Sequence, residues 1–185
     1  MNFLFNKYSH FNLANIVTFF NIASGIFAIY FLTHDEFFAA ALFAWLAGAF
    51  DIFDGKIARK YNLSTEFGIQ LDSYADFLSF VIVPAMFIYF AIFNGKEEFF
   101  NMALIAGAFV YYIISGLRRL IQFNLNAEEG EVEKYFTGVP TPLGAILLWV
   151  VYLIYLTGFI HEYFVLGMMV IIGFLLNSKI KIKHL

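Results

Sequence analysis

The chain has 185 residues, 62% of them hydrophobic and 14% charged, with a net charge of −3 and no cysteine. A mean hydropathy of +0.77 places it among membrane proteins and leaves room for one domain. The balance excludes disulfides and thiolate metal sites and speaks against nucleic acid as a partner.

The opening, MNFLFNKYSHFN, mixes aromatic and polar residues, the pattern of a short interfacial helix or of a solvated leader. No small-residue cleavage pattern follows the first apolar run, so a signal peptide is not expected. A spanning helix needs about 20 mainly apolar residues. Six windows come near that length: Leu13–Thr33, Phe37–Ile57, Gly68–Phe93, Phe99–Phe123, Val139–Gly158 and Tyr163–Asn177. An even number of spans puts both termini on one side. Lys7, Lys56, Arg59, Lys60, Arg118, Arg119, Lys134, Lys179, Lys181 and Lys183 fall on that side, and Lys96 alone lies opposite. Cytoplasmic loops carry the excess of Lys and Arg, so both ends are expected in the cytoplasm. The expected architecture is all-α: one transmembrane domain over 1–185 with six helices, residues 1–12 being a candidate interfacial segment. Such a chain is an integral protein of the cell's inner or plasma membrane. His34 and His161 fall in outer loops and are expected to be solvated, and the 26 phenylalanines and 11 tyrosines read as lipid-facing surface and interface belt.

Against this apolar background the stretch from Asp51 to Asp76, DIFDGKIARKYNLSTEFGIQLDSYAD, carries four aspartates. Asp51 and Asp54 stand three apart and Asp72 and Asp76 four apart, so each pair shares a helix face. One aspartate at the centre of a membrane helix costs roughly 2.5–3.5 kcal/mol. Four together need a partner, and hard carboxylate oxygens suit a divalent cation. The loop between the pairs is short, so the second and third helices are antiparallel neighbours and the pairs can face each other at the cytoplasmic interface. A lipid headgroup and a water-soluble molecule can both arrive there. Gly55, Ala58 and Gly68 keep the neighbouring turns slim, which admits a bulky ligand or close helix packing. Arg59 lies eight residues after Asp51 and suits a phosphate, an aspartate or plain topology signalling.

The residues Asp51, Asp54, Gly55, Ala58, Arg59, Gly68, Asp72 and Asp76 match the pattern Asp-x2-Asp-Gly-x2-Ala-Arg-x8-Gly-x3-Asp-x3-Asp at every fixed position. On them the chain resembles the CDP-alcohol phosphatidyltransferases, which move a phosphatidyl or similar group from a CDP-linked donor to an alcohol and release CMP. The resemblance implies Mg2+ or Mn2+ held by Asp51, Asp54 and Asp72, with Asp76 touching the metal or serving as general base on the acceptor hydroxyl. It implies that Gly55, Ala58, Arg59 and Gly68 cradle the cytidine diphosphate, and that Asn15 and Thr18 are polar contacts from the first helix. It also implies a homodimer.

Three further segments bear on the acceptor: GLRRLIQFN at 116–124, FTGVPTP at 136–142 and SFVIVPA at 79–85. They are similar to the membrane phosphatidylserine synthase branch, through Arg119, Leu120, Phe123 and Asn124, through Phe136, Gly138, Pro140 and Pro142, and through Ser79, Phe80 and Pro84. Gln122 stands where a second arginine is expected, and Val81 and Val83 replace a glycine and an alanine. Serine brings a carboxylate, an ammonium and the attacking hydroxyl, so Arg118, Arg119, Asn124, Thr137 and Gly138 are candidates for the acceptor or a lipid phosphate. The expected reaction joins a CDP-diacylglycerol-type lipid, or its ether counterpart, to L-serine, giving phosphatidylserine or archaetidylserine. Glycerol 3-phosphate or an inositol phosphate is the alternative acceptor. An ion-coupled transporter is the reading from another class, because intramembrane carboxylates also relay ions. A relay would scatter its acids in depth, whereas these four crowd one interface.

Overall fold

The computed structural model of the chain describes residues 3–95, 99–128, 135–178 and 181–183. Lys96, Lys134 and Lys179, used above for topology, and most of the acidic NAEEGEVEK loop lie outside the described residues. Two compact units divide the chain, Met1–Ser79 and Phe80–Leu185.

In the first unit a short 3-10 turn, Phe3–Phe5, is the regular structure among the described residues of the leader. Helix α1, Leu13–Leu32, starts where Asn12 is extended and its side-chain oxygen accepts from the Asn15 N–H at 3.0 Å. Its buried face is Ala14, Asn15, Thr18, Asn21, Ser24, Gly25, Ala28 and Leu32, nearly all small or polar. Phe20, Ile26, Phe27 and Tyr30 point outward. Lipid is as apolar as leucine, so membrane helices meet through small residues and turn large ones to the bilayer.

Helix α2, Phe37–Tyr61, repeats this with buried Ala40, Ala44, Ala47 and Asp54, so the alanine stripe that packs on α1 runs straight into the aspartates. The apolar window expected to end at Ile57 continues through Arg59 and Lys60, cations in a last turn that favours them. Asn62 ends the helix in the left-handed region (φ 52°), and the Leu63 N–H reaches the Ala58 carbonyl at 2.9 Å. Three residues later the Thr65 hydroxyl accepts from the Gly68 N–H at 3.0 Å and opens α3, Glu66–Asp76, with Glu66 in its first turn.

Helical conformation is continuous from Glu66 to Phe93, but two stretches, Phe77–Ile82 and Tyr89–Phe93, widen to π-helix around α4, Val83–Ile88. Pro84 has no N–H for the carbonyl of Phe80 and its ring crowds that carbonyl. In the second unit the buried Tyr112 hydroxyl donates to Phe80 O instead, at 3.4 Å. Tyr112 belongs to α5, Phe99–Glu128. A short strand β1, Tyr135–Thr137, pairs antiparallel with β2, Lys181–Lys183, a small addition to the helical fold that was expected. Gly138 follows β1 at φ 94°, and a Cβ there would lie 2.7 Å from the Leu176 carbonyl oxygen, so only glycine fits. Pro140 caps α6, Thr141–Leu156, and His161 precedes α7, Glu162–Leu176. Helices α5 and α6 both pack on α7, and Phe87 of α4 sits 4.5 Å from the Trp149 ring. The His34 and His161 side chains are exposed, as expected.

Among the described residues four helical runs are long and apolar enough to cross a bilayer: Leu13–Leu32, Phe37–Tyr61, Glu66–Phe93 and Met102–Leu125. Helices α6 and α7, with 16 and 15 residues, extend about 24 Å or less at about 1.5 Å per residue, short of a core about 30 Å thick.

Candidate metal and nucleotide site

Carboxylate oxygens of Asp51, Asp72 and Asp76 lie within 4.8 Å of one another. Asp51 comes from α2, ten residues before its end at Tyr61, and Asp72 and Asp76 occupy successive turns of α3. The Asp51 and Asp76 carboxyls are within hydrogen-bonding reach of each other. Asp54, only 4% exposed, stands beside them, in reach of the Thr18 hydroxyl and the Gly55 N–H. Asp54 Oδ2 and Asp76 Oδ1 are buried with no hydrogen-bond partner.

Like charges at this separation repel by about 3 kcal/mol per pair at an effective dielectric near 20. Solvent reaching these groups lowers that to on the order of 1 kcal/mol per pair, and three pairs are still a sizeable part of the stability of an ordinary domain, about 5–15 kcal/mol. The cluster therefore calls for a counter-charge, and acceptor oxygens left without donors are what a hard cation fills. An all-oxygen carboxylate set suits Mg2+ or Mn2+ and not a thiophilic metal. Asp51, Asp72 and Asp76, with Asp54 adjacent, fit such an ion.

A cavity of about 180 Å³ adjoins the carboxylates. Asn15, Thr18, Asp54, Gly55, Ala58, Arg59, Gly68 and Asp72, all candidates from the sequence, line it together. Gly68 does more than slim the helix: a Cβ there would lie 2.9 Å from Asn15 Oδ1 and 3.2 Å from the Thr65 hydroxyl oxygen. Asn15 is itself held by its Nδ2 donating to His10 O at 3.0 Å. Asn15 is thus an oriented wall of the cavity and not a stray helix polar. The Arg59 guanidinium lies against Gly55, where a Cβ would be 3.6 Å from its nearest nitrogen.

Ser64 and Thr65 also line this cavity, and they border a larger open groove of about 640 Å³ with Lys7, Tyr8 and His10. The His10 and Phe67 rings stack there at 4.4 Å. Sequence reasoning left these residues out. The Thr-Glu-Phe-Gly start of α3 carries a helix-cap signal that places Thr65, whereas nothing in the spacing brings His10 to Phe67.

In the second unit Arg119 is 6% exposed and its Nε–H donates to Val139 O at 3.2 Å, while Arg118 is exposed. This ties α5 to the segment that holds Gly138. Asn124 lies further along α5 and Thr137 lies in β1.

The family model described as CDP-alcohol phosphatidyltransferase matches residues 11–176. The chain belongs to that family and is a membrane transferase of phospholipid biosynthesis. Among similar proteins is a CDP-diacylglycerol–serine O-phosphatidyltransferase of Methanocaldococcus jannaschii, 31% identical over 173 residues, 91% of this chain and 72% of the relative. A Helicobacter pylori protein of the same name is 29% identical over 172 residues, 90% of this chain and 70% of that one. An archaetidylserine synthase of Methanothermobacter thermautotrophicus is 31% identical over 171 residues, 91% and 68% of the two chains.

Proposed function

We propose that the protein transfers a phosphatidyl group, or its ether-lipid counterpart, from a CDP-linked lipid to the hydroxyl of L-serine, releasing CMP. The observation that carries this reading is the juxtaposition of three carboxylates within 4.8 Å with a cavity lined by Asn15, Gly55, Arg59 and Gly68. Relatives named for serine transfer support the acceptor.

The serine hydroxyl oxygen attacks the phosphorus that bears the lipid. The bond from that phosphorus to the bridging oxygen breaks, its electron pair leaves with CMP, and the hydroxyl proton passes to the Asp76 carboxylate. Bound Mg2+ or Mn2+ supplies counter-charge to the diphosphate. Asp51, Asp54 and Asp72 would hold the cation, and Asp76 would touch it as well. Arg59 offsets phosphate charge, and the slim Gly55 and Ala58 admit the diphosphate. Arg119, with Arg118, Asn124, Thr137 and Gly138 nearby in sequence or across the β1–α6 turn, serves the acceptor carboxylate or a lipid phosphate. We further propose six spans with both termini cytoplasmic, the site on the cytoplasmic face, one catalytic domain over 1–185, and a homodimer.

The test is CMP release by purified protein given CDP-diacylglycerol and Mg2+ or Mn2+, with serine, glycerol 3-phosphate and inositol phosphate in separate reactions. Release with serine alone, stopped by EDTA and restored by either metal, is expected. Release only with a phosphorylated acceptor would overturn the serine assignment, and turnover in EDTA would overturn the metal role.

A further inference from the structure

One helical turn on from the carboxylates, α1 and the π-helical stretch share a polar contact that the chemistry above does not use. The Ser79 hydroxyl donates to Asn21 Oδ1 at 2.6 Å, with Asn21 0% and Ser79 3% exposed. Asn21 Nδ2 has no partner. Turning the amide round would let Nδ2 donate to Ser79 and would leave Oδ1 alone, so one polar atom of Asn21 is unsatisfied in either orientation. Such an atom in a membrane interior is costly unless something meets it.

The register indicates what meets it. Asn21 follows Thr18, the neighbour of Asp54, by three residues, and Ser79 follows Asp76 by three along the continuous helical run. Asp76 Oδ1 is the complementary orphan, a buried acceptor with no donor. A π-helical turn, which is frequent at functional sites, carries Ser79. The approach is tight: a Cβ on Gly25 would lie 3.3 Å from the Ser79 oxygen.

We infer that Asn21 and Ser79 are a positioning pair for Asp76, the Ser79 hydroxyl fixing the Asn21 amide and the amide holding Asp76 through one buried water. A water with polar partners on both sides is a normal structural part at such a place. The pair then orients a cation-binding carboxylate from behind, and partners of this kind are worth about 10–100-fold in metal affinity. This rests on the reading of Asp76 as part of the cation site. The competing role is a plain polar clasp between membrane helices.

The experiment is Mn2+ binding to the purified full chain, followed by electron paramagnetic resonance, beside thermal unfolding in EDTA. Ser79→Ala and Asn21→Leu are expected to weaken Mn2+ binding about tenfold. Ser24→Ala, which removes another buried α1 hydroxyl that donates to Phe20 O at 2.8 Å, is expected to leave it within twofold. Lowered thermal stability with Mn2+ affinity unchanged in Ser79→Ala would overturn the inference and assign the clasp. Equal weakening by Ser24→Ala would overturn it too. Should Asn21→Leu not fold, Ser79→Ala decides alone, since it deletes one oxygen atom. Wild-type protein that binds no Mn2+ would withdraw the cation site and the inference together, whereas binding that is indifferent to both variants withdraws the inference only.

Discussion

Replacing Asp72 by asparagine separates the repulsion within the carboxylate cluster from its use. Asp72 enters two of the three pairs formed by oxygens within 4.8 Å. At an effective dielectric near 20, each pair costs about 3 kcal/mol, so the substitution removes about 6–7 kcal/mol of repulsion at most. Solvent reaching these groups discounts that to on the order of 2 kcal/mol. For a chain of this size that is a rise of about 4–8 °C in the unfolding midpoint. Thermal unfolding of Asp72→Asn in EDTA should therefore lie above wild type. Excess Mn2+ at about 100 times its dissociation constant should add about 2.7 kcal/mol to wild type and markedly less to the variant. Turnover should be lost. A variant no more stable than wild type in EDTA, yet stabilised equally by Mn2+, would refute the reasoning.

Gly68→Ala should push Asn15 from its place, since the new Cβ would lie 2.9 Å from its oxygen; kcat/KM for the CDP-lipid should fall about tenfold with KM for serine unchanged. Arg119→Ala should raise KM for serine about tenfold, and an unchanged KM with a lower unfolding midpoint would leave Arg119 as a pin on Val139 O. Tyr112→Phe should lower stability by about 0.5–1.5 kcal/mol through the lost bond to Phe80 O, read as a lower unfolding midpoint with kcat retained. Gly138→Ala should cost more, about 1–3 kcal/mol, because it forces a side chain into a φ of 94° against the Leu176 carbonyl.

The aspartates were legible in the sequence because their spacing alone sets them on shared helix faces and because acids are rare in apolar runs. Six of the eight matching positions, Asp54, Gly55, Ala58, Arg59, Gly68 and Asp72, likewise line the cavity. Beyond the facing of the two aspartate pairs across a short loop, contacts between elements were not legible. That Asn15 rests against Gly68, or that Tyr112 answers the carbonyl freed by Pro84, depends on how helices pack and not on any period along one of them. The same holds for the π-helical stretches, which look like ordinary apolar helix in the sequence. The α2 terminus was missed by four residues because hydropathy ends at Ile57 while the preference of lysine and arginine for a helix C-terminus carries the helix to Tyr61.

The carboxylates and the cavity beside them are drawn wholly from residues that precede Phe80, and the chain between them turns back over four residues, 62–65. A growing chain folds its early part first. The proposed cation site can therefore be assembled during membrane insertion, while the later helices are still being synthesised. An ion captured at that moment would spare the nascent hairpin from presenting its acids bare to the bilayer, making metal supply a condition of biogenesis as well as of turnover.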